Sequence, residues 1–155
     1  MTQTVTKRRA TDQARERWQA VRQGARLPRL YQLRVAADDA QWRNQFILRC
    51  DANVPMSVFI FCGETAQAAL GLDRFGGTLQ AALPGPIREP IYAACNEALD
   101  SSTPAGAEGS YEDDGAEVLY RSIFLPMLGT EGEEAATYLF GAFSSNSPTR
   151  LAAVQ

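Results

Sequence analysis

An α+β fold, with a five-stranded antiparallel sheet, helices on one face and an N-terminal amphipathic helix ahead of it, is what this sequence predicts. Three observations predict it. Two strand-like runs come first, Asn44 to Asp51 and Met56 to Cys62; helical composition fills Glu64 to Asp100; strand-like runs return from Gly109 to Ser144. Strands near each other in sequence usually pair, so this order closes into one sheet. The helices grouped between the two sets of strands then cover one of its faces.

The elements follow in order. Residues 1–10 are short and polar, end in a basic cluster, and read as disordered. Thr11 or Asp12 is suited to cap a helix running to about Gln23, stopped by Gly24. Ala14, Trp18 and Val21 form its apolar face at i, i+4 and i+7. An isolated helix of this length is marginal in water, so that face must pack on the domain or on a second subunit. Leu27-Pro28-Arg29-Leu30 is an extended connector, because proline biases the residue before it away from the helical region. Asp38 and Asp39 are placed to cap a short turn carrying Trp42.

From Asn44 the chain alternates. Phe46, Leu48 and Cys50 fall on one side and Gln45, Ile47, Arg49 and Asp51 on the other, the period of a half-buried strand. Ala52 to Pro55 reads as a hairpin loop. Ser57 to Cys62 is apolar on both faces and is expected toward the sheet centre. Glu64 to Leu72 and Leu79 to Leu83 are short helices separated by a Phe75-Gly76-Gly77 break. Pro86 and Pro90 suit the first turn of a longer helix ending near Leu99, with Ile87, Ile91, Ala94, Cys95, Ala98 and Leu99 as its buried stripe. Ser101 to Gly106 reads as a loop. Gly109 to Glu112 starts the third strand, and Asp113-Asp114-Gly115 is a strong turn signal. Val118 to Leu128 is the longest strand, with Pro126 required to sit where no ladder donor is needed. Gly129 to Glu134 is an acidic loop, Ala136 to Ser144 completes the sheet, and the rest reads as a mobile tail. The expected organisation is a basic tail, helix and connector at 1–35, one α+β domain at 36–145, and a tail at 146–155.

Composition narrows the chemistry. The chain has 155 residues, 45% hydrophobic and 21% charged, the range of an ordinary globular domain. No apolar run is long enough to span a membrane. No apolar segment follows Lys7, Arg8 and Arg9, so no secretory signal is expected and the cytoplasm is the expected compartment. The three cysteines (Cys50, Cys62, Cys95) lie in apolar settings without a CxxC pair, which argues against a disulfide framework. The chain contains no histidine, which removes imidazole metal ligation and histidine-activated nucleophiles. No nucleotide-binding glycine loop, hydrolase elbow or calcium loop is present. An enzyme is therefore not expected, no catalytic residues are assigned, and no metal site is assigned. Residues 1–34 carry nine basic side chains against two acidic ones in a chain of net charge −3, so a basic arm precedes an acidic body.

The order of elements resembles a PAS domain, in which a β-hairpin, several short helices and a three-stranded antiparallel meander close one sheet. The resemblance covers about Gln45 to Ser144. More narrowly, the chain is similar to the PAS-like domain family of alphaproteobacteria. The matching positions are Arg26-Leu27-Pro28-Arg29, Cys62-Gly63-Glu64-Thr65, Gly71-Leu72, Gly76-Gly77-Thr78 and the Leu125 to Met127 step. Another α+β sheet, GAF-like or nuclear-transport-factor-like, is the alternative topology. The chain departs from the flavin photosensors of the superfamily, since Cys95 is followed by Asn96 and Glu97, and it lacks the histidine of haem sensors. No cofactor is evident, although an unknown small molecule is compatible.

The resemblance implies a ligand pocket between the inner sheet face and the helices. Phe46, Leu48, Phe59, Phe61, Tyr92, Cys95, Ile123 and Phe140 are its candidate lining, against the alternative of a filled core. Arg121 is expected on the outer side. The expected function is a stand-alone PAS-type sensory or regulatory module of bacterial signalling, acting through a ligand, a protein partner, or both. A homodimer through Ala14, Trp18 and Val21 is expected. The alternatives are nucleic-acid or acidic-partner binding by the basic arm, which the acidic body counts against, and a small nuclear-transport-factor-like enzyme.

Overall fold

The computed structural model describes residues 9–22, 24–33, 40–70, 77–129 and 135–146. The expectations for residues 1–8, Asp38 and Asp39, the Gly71-Leu72 and Phe75-Gly76 steps, the 131–134 acids and the tail beyond 146 lie outside them. Helix α1 spans Ala10–Arg22. Strands β1 (Gln45–Arg49) and β2 (Val58–Cys62) follow, then helices α2 (Glu64–Leu70), α3 (Leu79–Ala82) and α4 (Arg88–Ser101), and strands β3 (Ala105–Asp113), β4 (Ala116–Met127) and β5 (Tyr138–Asn146).

All five strands form one antiparallel sheet in the order β2-β1-β5-β4-β3. This is the sheet the sequence order implies: the hairpin and the meander meet where β1 joins β5. The central strand is therefore β5, and β2 lies at the edge, not at the centre as its apolar run suggested. Its apolar character has another cause. One side packs into the helical core, and the other meets Trp42, whose ring stands edge-on to Phe61 at 5.4 Å. The free edge of β2 is covered by residues 77–79, through hydrogen bonds from Phe59 N–H to Gly77 O and from Leu79 N–H to Ser57 O.

The sheet is apolar on both faces, and each face has its own cover. The inner face packs against α2, α3 and α4 in a cluster that includes Phe46, Leu48, Phe59, Ile87, Ile91, Cys95, Phe124 and Phe143. The outer face carries Ile47, Ile123, Leu125, Met127, Phe140 and Ala142, covered by α1, Leu27, Leu33 and Trp42. The half-buried strand expected at β1 is thus buried on both sides, with Gln45 and Ile47 as enclosed as Phe46 and Leu48.

Local chemistry fixes the boundaries. The β3–β4 turn places Asp114 and Gly115 at φ of 54° and 79°, the doubly positive geometry of a tight right-twisted hairpin. Strand β3 begins at Ala105, four residues before the sequence-based expectation, because Ala-Gly-Ala has little strand preference of its own and is held there by pairing with Ser122 to Phe124. Gly141 lies opposite Phe46 on one side and Phe124 on the other. A Cβ there would press into the Ile123 carbonyl and the Phe46 ring, so only glycine lets Phe46 lie across the central strand.

Candidate functional site

The two faces divide the residues singled out in the sequence. Phe46, Leu48, Phe59 and Cys95 are buried together on the inner side, with Tyr92 of α4 packed against them. Phe46 meets Phe59 edge-on at 5.6 Å and Phe124 at the same distance. Phe61, Ile123 and Phe140 are instead on the outer side, with Trp42 and the α1 residues.

The separation of Phe61 from Phe59 has a specific cause. Residues two apart in a regular strand share a face. In β2 they do not, because Leu48 pairs with Phe59 while Ile47 pairs with Phe61, leaving Ile60 as an extra residue. This bulge turns Ile60 out to solvent at 37% exposure and flips the register beyond it. Ile123 and Phe140 lie on the outer side, not the expected inner one, for a simpler reason. Alternation sorts a strand into two faces without saying which is inner, and here Tyr120, Phe124, Leu139 and Phe143 take the inner side. The alternation of Val118, Tyr120, Ser122 and Phe124 contained that signal.

The inner site is almost wholly apolar. Among its polar groups, which include the Tyr120 and Tyr111 hydroxyls, the Tyr92 hydroxyl is buried and has no hydrogen-bond partner among the described residues. An unpaired buried hydroxyl costs free energy, so its position is informative. The cysteines are poor nucleophiles and poor thiolate ligands. Burial pushes the Cys50 thiol up to about 12, against a smaller opposing effect of hydrogen bonds from Ser57 and Leu139, and pushes Cys62 to about 12. Cys95 is raised well above its ordinary value by burial, with the nearby Cys50 adding to it. Among the described residues no group of three His, Cys, Asp or Glu side chains gathers around a point, and no helix is long and apolar enough to cross a membrane.

On the outer face, α1 lies across β4 and β5. Ala14 and Trp18, expected at an intersubunit contact, are 0% and 3% exposed against the chain's own sheet, and Val21 is half-buried beside them. The apolar outer face explains this placement. It must be covered, and a helix tethered by a short connector reaches it at high effective concentration. The Trp18 indole N–H donates to the Pro126 carbonyl at 2.8 Å. That carbonyl is available because β3 pairs with β4 only as far as Phe124. The connector closes the same open edge, with Leu128 N–H donating to Pro28 O and Leu30 N–H to Leu128 O. Two arginines of the basic segment also stack on aromatic rings: Arg17 lies 4.4 Å from the Trp42 ring and Arg22 4.8 Å from the Trp18 ring. Arg121 is on the outer side as expected, 3.0 Å from Glu108.

No family model matches the chain, and no curated protein does. Among solved structures it is similar to the PAS domain of a protein from Colwellia psychrerythraea, at 13% identity over 66% of this chain and 86% of that one, with a TM-score of 0.47. It is also similar to a light-oxygen-voltage domain studied with a flavin analogue, at 16% identity over 72% of this chain and 83% of that one, with a TM-score of 0.48. A third is the PAS domain of Bordetella pertussis BvgS, at 14% identity over 72% of this chain and 80% of that one, with a TM-score of 0.39.

Proposed function

We propose that this chain, a PAS-type fold, serves as a sensory or regulatory module whose inner side takes up a small apolar molecule and whose α1-covered outer side reports it. The observation that carries the reading is the Tyr92 hydroxyl, buried at the edge of an aromatic cluster without a hydrogen-bond partner among the described residues. One hydrogen-bonding group in an apolar lining is the usual composition of a small-molecule site. Phe46, Leu48, Phe59 and Cys95 form the lining with it; Phe61, Ile123 and Phe140 belong to the reporting face instead.

The reporting element is α1. Its holds include an apolar stripe, the Trp18–Pro126 hydrogen bond and the Arg17 contact with the Trp42 ring, and a change in sheet curvature or a competing protein can shift it between docked and released positions. A protein partner, or a second copy using Ala14, Trp18 and Val21, must displace α1 before it can use the outer face. The three raised thiols and the absence of histidine favour a regulatory role over a catalytic one. The similarity of the connector and glycine steps to alphaproteobacterial PAS-like domains supports placing the module in bacterial signalling.

Native mass spectrometry of the freshly purified full chain, followed by hydrogen exchange, tests this. A retained small molecule is expected, lost or weakened roughly 5- to 30-fold by Tyr92→Phe, as for one hydrogen bond. Removing it is expected to change the exchange of residues 10–22. A chain that retains nothing, together with α1 exchanging as one unit with β5 whatever compound raises the melting temperature, overturns the reading.

A further inference from the structure

The outer edge of β3 ends the sheet with no strand of the described residues beyond it. Sheet edges are normally blunted by proline, charged side chains, a bulge or a covering segment. The β2 edge is covered in this way. The β3 edge runs nine residues, AGAEGSYED, without proline, and pairs with β4 without a register break; its charges are Glu108, Glu112 and Asp113, so a partner strand must keep these acids apart.

Its hydrogen-bonding groups can be assigned. The two-residue turn makes Asp113 and Ala116 a bonded pair, and bonded and non-bonded pairs alternate from there along an antiparallel ladder. The backbone groups of Gly106, Glu108, Ser110 and Glu112 therefore point away from β4. All four residues are exposed, and the side chains of Glu108, Ser110 and Glu112 share the outer face with Arg121. Ala105, Ala107 and Tyr111 lie on the inner face beside α4.

We infer that two copies of this chain pair edge to edge through β3, antiparallel about a two-fold axis at Gly109, making one ten-stranded sheet. Charge selects that register. Centred on Gly109, Glu108 faces the second copy's Ser110, and Glu112 faces its Gly106, so each acid meets a small neutral residue. The neighbouring registers that keep the outward groups face to face are worse. One sets Glu108 against its own copy, and the other sets Glu108 against Glu112. Like charges directly opposed destabilise a strand pair. In the favoured register Tyr111 of each copy faces Ala107 of the other. There, an open groove of about 560 Å³, lined by Pro90, Ala93, Ala94 and Glu97 of α4 and by residues 106–108 of β3, provides room for the ring. The Glu108 charge is already partly neutralised by Arg121. The pairing needs none of Ala14, Trp18 and Val21 and none of Phe46, Leu48, Phe59, Tyr92 and Cys95, so its test is separate from that of the sensory reading.

Sedimentation velocity on the full chain across micromolar to millimolar concentrations tests it. A reversible dimer is expected. Ser110→Glu places an acid opposite Glu108 at two symmetric positions and is expected to raise the dissociation constant roughly 2- to 30-fold, while Ser110→Lys is expected to lower it by a similar factor. Ser110→Pro removes an outward N–H without touching the β4 ladder and is expected to abolish the dimer. Thermal melts of each variant establish that the monomer is folded. A chain monomeric at every concentration overturns the inference. So does a dimer that ignores the sign of the charge at position 110, or one lost instead with Trp18→Ala.

Discussion

Trp18 and Pro126, 108 residues apart, are joined by a buried hydrogen bond of 2.8 Å from the indole N–H to the carbonyl oxygen. Proline has no N–H for the ladder, and β3 no longer pairs with β4 at this point, so the Pro126 carbonyl needs a donor from elsewhere. The helix supplies it. One contact thus fixes the register of α1 on the sheet and satisfies the strand that proline would otherwise leave incomplete.

Trp18→Phe keeps most of the ring contact and removes the donor. Stability is expected to fall by about 1–3 kcal/mol, the cost of an orphaned buried carbonyl, as measured by urea unfolding. Trp18→Ala is expected to cost about 3–5 kcal/mol and to raise the exchange of residues 10–22 far more than that of β5. Equal effects across both elements would show that α1 is not a separately opening unit.

Deleting Ile60 is expected to be tolerated. The bulge makes this residue supernumerary: without it, Phe59 still faces Leu48 and Phe61 still faces Ile47. The deletion variant should fold with a loss of about 1–2 kcal/mol. Deleting Ile47 from β1 should prevent folding, because every residue on one side of the cut changes face. Similar outcomes for the two deletions would argue against the bulge.

Gly141→Ala is expected to destabilise by about 2–3 kcal/mol, since the added methyl meets the Ile123 carbonyl and the Phe46 ring in a central strand. The companion Phe46→Leu in the Gly141→Ala background should recover part of the loss. Failure to recover any would show that the backbone contact, not the ring, sets the cost.

The thiols make a pH-dependent contribution of definite sign. Burial raises Cys50 and Cys62 from the ordinary thiol value to about 12. Above the unfolded-state value, the unfolded chain releases protons that the folded chain retains, so stability falls as pH rises. The contribution is fully present below about pH 9 and is lost between there and about pH 12. Tyr120, also raised by burial, acts in the same direction. Urea midpoints measured from pH 7 upward should decline, and Cys50→Ala with Cys62→Ala should flatten that decline. Alkylation by iodoacetamide at neutral pH should be slow until the chain unfolds. Rapid labelling of the native protein would contradict the burial.

The order of the elements, the apolar stripe of α1 and the Asp113-Asp114-Gly115 turn were legible because each is written in local periodicity or turn chemistry. Five strands in this order left few ways to close a sheet, and the chain took the expected one. What locality cannot carry is the side of the sheet to which a residue belongs. Phe59 and Phe61 read alike until the bulge at Ile60 turns one inward and the other outward. Alternation in β4 and β5 could not name the inner face, because that depends on which layer of helices lies above it. The fate of Ala14 and Trp18 was likewise a tertiary decision. Their spacing required a burying surface, and only the apolar outer face, held near by the connector, determined that the surface would be the chain's own sheet.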